Sequence, residues 1–97
     1  MKTLDPVAWH IMDAMADDWE SIEQIRSYLQ EFHLSVEDEG IFEILRQLHA
    51  GQLIRIMDQD GYGTTPFPVD PSHCWFQMTE GGRDLWDSEG KKYRNAQ

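Results

Sequence analysis

Cys74-Trp75-Phe76-Gln77-Met78-Thr79-Glu80-Gly81-Gly82-Arg83-Asp84-Leu85-Trp86 changes character in mid-stretch. Cys74, Phe76 and Met78 alternate with Trp75 and Gln77, so the three share one face of an extended chain. Thr79 then stands where a helix N-cap belongs, and the helix it opens carries Leu85 and Trp86. Upstream, Leu53-Ile54-Arg55-Ile56-Met57 is a β-branched run of strand length, so residues 74–78 read as the returning strand of a hairpin. The connection between them, residues 58–73, is rich in Gly and Pro (Gly61, Gly63, Pro66, Pro68, Pro71) and reads as a long loop.

Working toward the N-terminus, three helices precede the hairpin. Ile41, Ile44, Leu45 and Leu48 form the clearest amphipathic stripe of the chain. Ser35 is the expected cap of that helix, with Asp38 three residues on, and Gly51 the expected stop. Before it, Ser21 and Gln24 make a capping box for a helix whose apolar face is Ile22, Ile25 and Leu29. The first helix is expected to start at Asp5 with Pro6 at its first turn, and Val7, Ile11 and Met15 line one face. Asp17-Asp18 ends it or opens a turn.

The order is helix, helix, helix, strand, loop, strand, helix. The expected fold class is α+β, a winged helix-turn-helix with three helices, a two-stranded hairpin wing and a C-terminal helix. Residues 1–88 form the one domain that 97 residues allow, and 89–97 form a short polar tail. The expected core is Ile11, Met15, Ile25, Leu29, Ile41, Ile44, Leu45, Leu48, Ile54, Ile56, Phe76, Met78 and Leu85.

Two segments carry a family resemblance. His49-Ala50-Gly51-Gln52-Leu53-Ile54 looks like the helix end before the wing of many bacterial winged-helix regulators. Phe76-Gln77-Met78-Thr79-Glu80-Gly81-Gly82-Arg83 is similar to the segment that closes that wing: an aromatic, a spacer, an aliphatic, then Thr, Glu, any residue, Gly, Arg. Over roughly residues 4–88 the chain resembles the MarR and PadR superfamilies of transcriptional regulators. The resemblance implies that the third helix, residues 36–50, enters the major groove of DNA and that the wing touches the backbone or minor groove.

The charges run against that use. Eighteen acids against eight Lys and Arg give a formal net charge of −10, and phosphate is repelled by such a surface. The third helix offers Glu37, Asp38, Glu39 and Glu43, with Arg46 its only Lys or Arg. Residues 58–73 hold Asp58, Asp60 and Asp70 and no Lys or Arg. DNA contact would fall to Arg46, Arg55 and Arg83. A protein partner, a basic one above all, suits the acidic face better, and an anionic membrane surface does not. A charge run is otherwise simply a solvated face. No stretch nears the roughly 18 apolar residues of a membrane span. The single cysteine, Cys74, excludes an internal disulfide, so a cytoplasmic protein is expected.

No catalytic constellation stands out. Asp58-Gln59-Asp60-Gly61-Tyr62-Gly63 resembles the start of a calcium loop. However, Tyr62 occupies the fifth position and Val69 the twelfth, where oxygen ligands are needed, so a Gly-rich turn is the expected reading. His10, His33, His49, His73 and Cys74 make no zinc-binding pair, and adjacent His73 and Cys74 would face opposite ways on a strand. Cys74 reads as a packed small side chain rather than a nucleophile. No metal, no cofactor and no enzyme activity are expected.

The chain is rich in aromatics, four of them Trp. Trp75 is expected half-exposed, Trp9 off the apolar face of its helix, and Trp86 beside Leu85. Outward Trp residues on a small domain make interface anchors, which suggests a homodimer through the first and last helices using Trp9, Leu85 and Trp86. The expected function is a non-enzymatic interaction or regulatory module that contacts protein through Trp9, Glu37, Asp38, Glu39, Glu43, Trp75, Leu85 and Trp86. The alternative is a DNA-binding regulator of MarR or PadR type.

Overall fold

A computed structural model describes residues 6–16, 18–61, 63–64 and 66–90. The elements, in order, are α1 (Pro6–Ala14), β1 (Glu20–Ser21), α2 (Ile22–Glu31), α3 (Asp38–Ala50), β2 (Ile54–Met57) and β3 (Gly63–Thr64). A 3₁₀ turn (Pro71–His73), β4 (Trp75–Met78), α4 (Glu80–Leu85) and a π-type turn (Trp86–Gly90) complete the described chain. The architecture is α+β. No helix among the described residues is long and apolar enough to cross a membrane.

Pro6 opens α1, and the expected cap Asp5 and the breaker Asp17 lie outside the described residues. Helix α2 starts as its capping box dictates: the Ser21 hydroxyl accepts from the Gln24 N–H at 3.2 Å, and the Gln24 amide oxygen accepts from the Ser21 N–H at 2.9 Å. Two orphan donors are thereby satisfied. Helix α3 departs from expectation. It begins at Asp38 with Glu37 as N-cap, not at Ser35, and Glu37 makes no side-chain cap bond. Leu34 and Val36 pack against the core on alternate positions, and this keeps the chain extended until Glu37.

Both helix ends are closed by left-handed residues that are not glycine. His33 (φ 60°) follows α2, with the His33 N–H bonding the Gln30 carbonyl and the Leu34 N–H the Leu29 carbonyl, each at 3.0 Å. Gln52 (φ 60°) does the same after α3, its N–H on the His49 carbonyl and the Leu53 N–H on the Leu48 carbonyl, each at 2.9 Å. These are paired Schellman closures. Gly51, the expected stop, has φ −82° and is only the residue before the reversal.

The expected two-stranded hairpin is part of a four-stranded antiparallel sheet of order β1-β4-β2-β3. β2 and β4 pair in the register Ile54↔Met78, Arg55↔Gln77, Ile56↔Phe76 and Met57↔Trp75. β1 adds Glu20↔Phe76 and Ser21↔Trp75 on one side, and β3 adds Ile56↔Thr64 and Met57↔Gly63 on the other. Residues 58–73 are therefore not a plain loop. A turn at Asp58–Gly61 starts them, with Gly61 at φ 90° as only glycine readily allows. The Asp70 carboxylate accepts from the Ser72 N–H at 3.1 Å and caps the 3₁₀ turn.

One face of the sheet carries Ile54, Ile56, Phe76 and Met78 into a core shared with Ile11, Met12, Met15, Ile25, Leu29, Ile41, Leu45 and Leu48. Each such side chain contributes on the order of 1.5–3 kcal/mol of burial free energy. Ile44 and Leu85, expected in this core, are only partly buried at its edge. The other face carries Arg55, Met57, Trp75 and Gln77, and Arg55 and Trp75 are exposed, as an open antiparallel sheet permits.

The closing segment is welded to the start of β2. Thr79 caps α4 by accepting from the Gly82 N–H at 3.0 Å, and its hydroxyl donates to the Gln52 carbonyl at 2.7 Å. Its own N–H reaches the Leu53 carbonyl at 3.0 Å. Gly82 lies against that same peptide. A Cβ there would stand 1.9 Å from the Leu53 carbonyl oxygen, so only glycine allows α4 to dock.

Candidate functional site: an acidic surface on two helices

The acids at the start of α3 do not act as one set. Asp38 is clamped by Arg26 of α2, whose Nε and Nη2 donate to the two carboxylate oxygens at 2.8 and 2.7 Å. Such a two-pronged pair fixes direction as well as charge, and it ties α3 to α2. Glu43 accepts from the Arg46 guanidinium and from the Gln47 amide, the latter at 3.4 Å. Glu37 and Glu39 are exposed. Glu39, Phe42, Glu43 and Arg46 line a shallow cleft of about 290 Å³.

The three cations expected at a DNA interface are each held by a different neighbour. Arg46, already on Glu43, lies 5.2 Å from the centre of the Phe67 ring. Arg55 lies 5.8 Å from the ring centre of Trp19. The Arg83 Nη2 donates to the Ala16 carbonyl at 2.6 Å. Arg55 and Arg83 thus both turn toward the connection that follows α1, while Arg46 turns toward the segment after β3.

The aromatic residues correct the expected dimer contact. Trp9 is 3% exposed and belongs to the core, because α2 and the π-type turn after α4 both pack on α1. Trp86 packs against the core, and its indole N–H donates to the Asp13 carboxylate of α1. Leu85 is half-buried beside it. The first helix and the closing segment thus satisfy each other within one chain. Trp75, in contrast, is 37% exposed on the open face of the sheet.

A second acidic surface was not singled out from sequence. Glu20, Glu23, Glu31, Ser27 and Tyr28 line a cleft of about 300 Å³ at the outer side of β1 and α2. Glu23 also lines a neighbouring cleft of about 300 Å³ with Ser21, His73, Cys74 and Trp75. Burial, and then the nearby Asp18 charge, push the Glu20 carboxyl above its ordinary value. Phe32, 47% exposed, stacks beside Tyr28 at 5.0 Å and His10 at 4.8 Å. The outward spacing of Glu23, Ser27 and Glu31 along one helix was the available signal. Glu20 gave none, because a two-residue strand has no period to read.

Cys74 is buried, and its thiol is pushed up by that burial and then by Asp58 and Asp70. A thiol held protonated is a poor nucleophile, so its place is in packing. Among the described residues no three His, Cys, Asp or Glu side chains are grouped to hold a metal ion. Asp58 is turned inward on its own loop, its carboxylate accepting from the Asp60 N–H at 3.0 Å, and Tyr62 of that loop lies outside the described residues. Compared with models of protein families, with curated proteins and with solved structures, the chain finds no match in any of the three.

Proposed function

We propose that this chain is a cytoplasmic winged-helix module that works by contacting a protein, not by catalysis, and that the first half of α3 is the contacting element. The winged-helix reading is supported by the arrangement of α2 and α3 about a short turn, followed by the β2–β4 hairpin and a helix docked on it. The observation that carries the functional reading is the state of α3. Its exposed end presents Glu37 and Glu39, and its only Arg is engaged by Glu43 and Phe67. A helix so charged meets phosphate with repulsion before any base edge comes within reach. A basic protein surface meets it with attraction and a faster encounter.

The competing reading is direct DNA binding through Arg46, Arg55 and Arg83. Fluorescence anisotropy of a labelled random-sequence duplex, at about 50 and about 200 mM salt, separates the two. A DNA binder has non-specific affinity on the order of 10⁻⁴–10⁻⁶ M at physiological salt, and tighter below it. The expected result is no saturable binding at either salt concentration. Saturable, salt-steep binding would overturn the proposal.

Self-association is a weaker form of the protein-contact reading. With Trp9 inside the protomer, a dimer through α1 and the closing segment loses its expected anchor. Sedimentation at tens of micromolar checks this, and a monomer is the expected outcome.

A further inference from the structure

We propose that the outer side of β1 and α2, running from Glu20 and Glu31 across Glu23 to Trp75, is a docking groove for an extended arginine-bearing segment of a partner protein. This rests, like the reading above, on a basic protein partner; the surface is a different one.

The groove is built from two clefts of about 300 Å³ each, and Glu23 lines both. On one side of Glu23 stand Glu20, Glu31 and Tyr28. On the other stand Ser21 and Trp75. Their sum suits a chain lying across the groove rather than a compact ligand.

Charge complementarity names the occupant. Among the described residues that line the two clefts are three glutamates and no Lys or Arg. Arg26, one turn along α2 from Glu23, feels that carboxylate but spends two hydrogen bonds on Asp38. Glu20 is half-buried with Asp18 nearby, and its carboxyl is harder to ionise for that reason. A carboxylate in that position gains from an incoming cation.

Trp75 chooses between arginine and lysine. Its indole is 37% exposed on the open sheet face, at the end of the groove. A planar guanidinium stacks on such a ring and at the same time donates in a fork to a carboxylate, which an ammonium does not. The fold already sets guanidinium groups against aromatic rings, with Arg55 over Trp19 and Arg46 over Phe67.

The test is an anisotropy titration of the full chain into a labelled nonapeptide of alternating Arg and Ser, at about 100 mM salt. Saturable binding is expected. Glu23→Gln and Trp75→Leu should each weaken it about threefold to tenfold, the range a partly exposed cation–π or ionic contact supplies. The Lys-for-Arg peptide should bind several-fold more weakly. A control double variant on α4, Glu80→Gln with Asp84→Asn at two exposed positions, should stay within about twofold of the parent, and it loses more formal charge than Glu23→Gln. Equal weakening by the α4 variant would show diffuse attraction and overturn the groove. Weakening by Glu37→Gln with Glu39→Gln but not by Glu23→Gln would place the peptide on α3, supporting the α3 reading and overturning the groove. Absence of saturable binding, or indifference to Trp75→Leu, would overturn it as well. Tighter peptide binding when Lys91, Lys92 and Arg94 are changed to Gln would make the chain's own tail the occupant and overturn the partner assignment. Circular dichroism checks that the variants fold. Should Trp75→Leu fail to fold, Trp75→Tyr reads the same contact, with a smaller loss expected.

Discussion

Gly81 and Gly82 are neighbours in sequence and opposites in structure. At Gly82 an added Cβ meets the Leu53 carbonyl oxygen at 1.9 Å, and the obstacle is backbone that no rotamer change can move. At Gly81 the nearest atom would be the Thr79 hydroxyl at 3.9 Å, an ordinary contact. Gly82→Ala should therefore cost about 3 kcal/mol, the upper range of overpacking. Gly81→Ala should stabilise by about 0.4–1 kcal/mol, through the lower entropy of the unfolded chain. Urea unfolding of the two variants checks the pair, and equal effects would show that α4 does not dock as described. In the family pattern the glycine before Arg is the fixed one. The clash supplies a physical reason for glycine at that position in this chain.

The helices show how a side chain two residues away can decide where an element starts or stops. Ser21 caps α2 through a complete box, so Ser21→Ala should lose about 1 kcal/mol. Ser35 looks equivalent in sequence yet lies outside α3, whose N-cap is Glu37. Ser35→Ala should change stability by no more than about 0.5 kcal/mol, as for other exposed sites. Comparing the two unfolding midpoints separates a real cap from an apparent one. The ends are closed by His33 and Gln52 in the left-handed region, where a Cβ is strained. His33→Gly should therefore raise stability by about 1 kcal/mol, since glycine takes this geometry without that strain. A loss instead would mean that the imidazole contributes something the backbone geometry does not reveal.

Taken together, the elements make a two-sided object. One side of the sheet is sealed by α1, α2 and α3, and the other is open to solvent with Arg55 and Trp75 on it. On this acidic molecule, with a formal net charge of −10, the Glu20 carboxyl is raised first by its burial and then by the nearby Asp18 charge. Because its folded carboxyl is raised above the ordinary 4.5, ionising it weakens the fold. That penalty is present at pH 7, is relieved as pH falls through the raised value, and is gone below the ordinary one. Glu20→Gln should accordingly be more stable than the parent at neutral pH, with the difference shrinking as pH drops toward 4.5. Denaturation midpoints at pH 7 and pH 4 test this, and a pH-independent difference would assign the effect to packing.

Periodicity was sufficient for the existence of the helices and of β2 and β4 and for most of the core, and capping chemistry for Ser21 and Thr79 though not for the ends of α3, because those signals are local: they lie within one element, repeating every two or every 3.6 residues. The burial of Cys74 and the exposure of Trp75 were legible for the same reason. Other features needed the chain folded back on itself. β1 and β3 are two residues each and exist only because β4 and β2 lie beside them. Trp9 is inside because the closing segment covers α1, a contact between residues more than seventy positions apart. Asp38 left the acidic set because Arg26 of another helix reaches it, and Arg46, Arg55 and Arg83 were parted by partners remote in sequence. Charge and pattern are properties of the chain, whereas which charges meet solvent and which meet each other is a property of the packed arrangement alone.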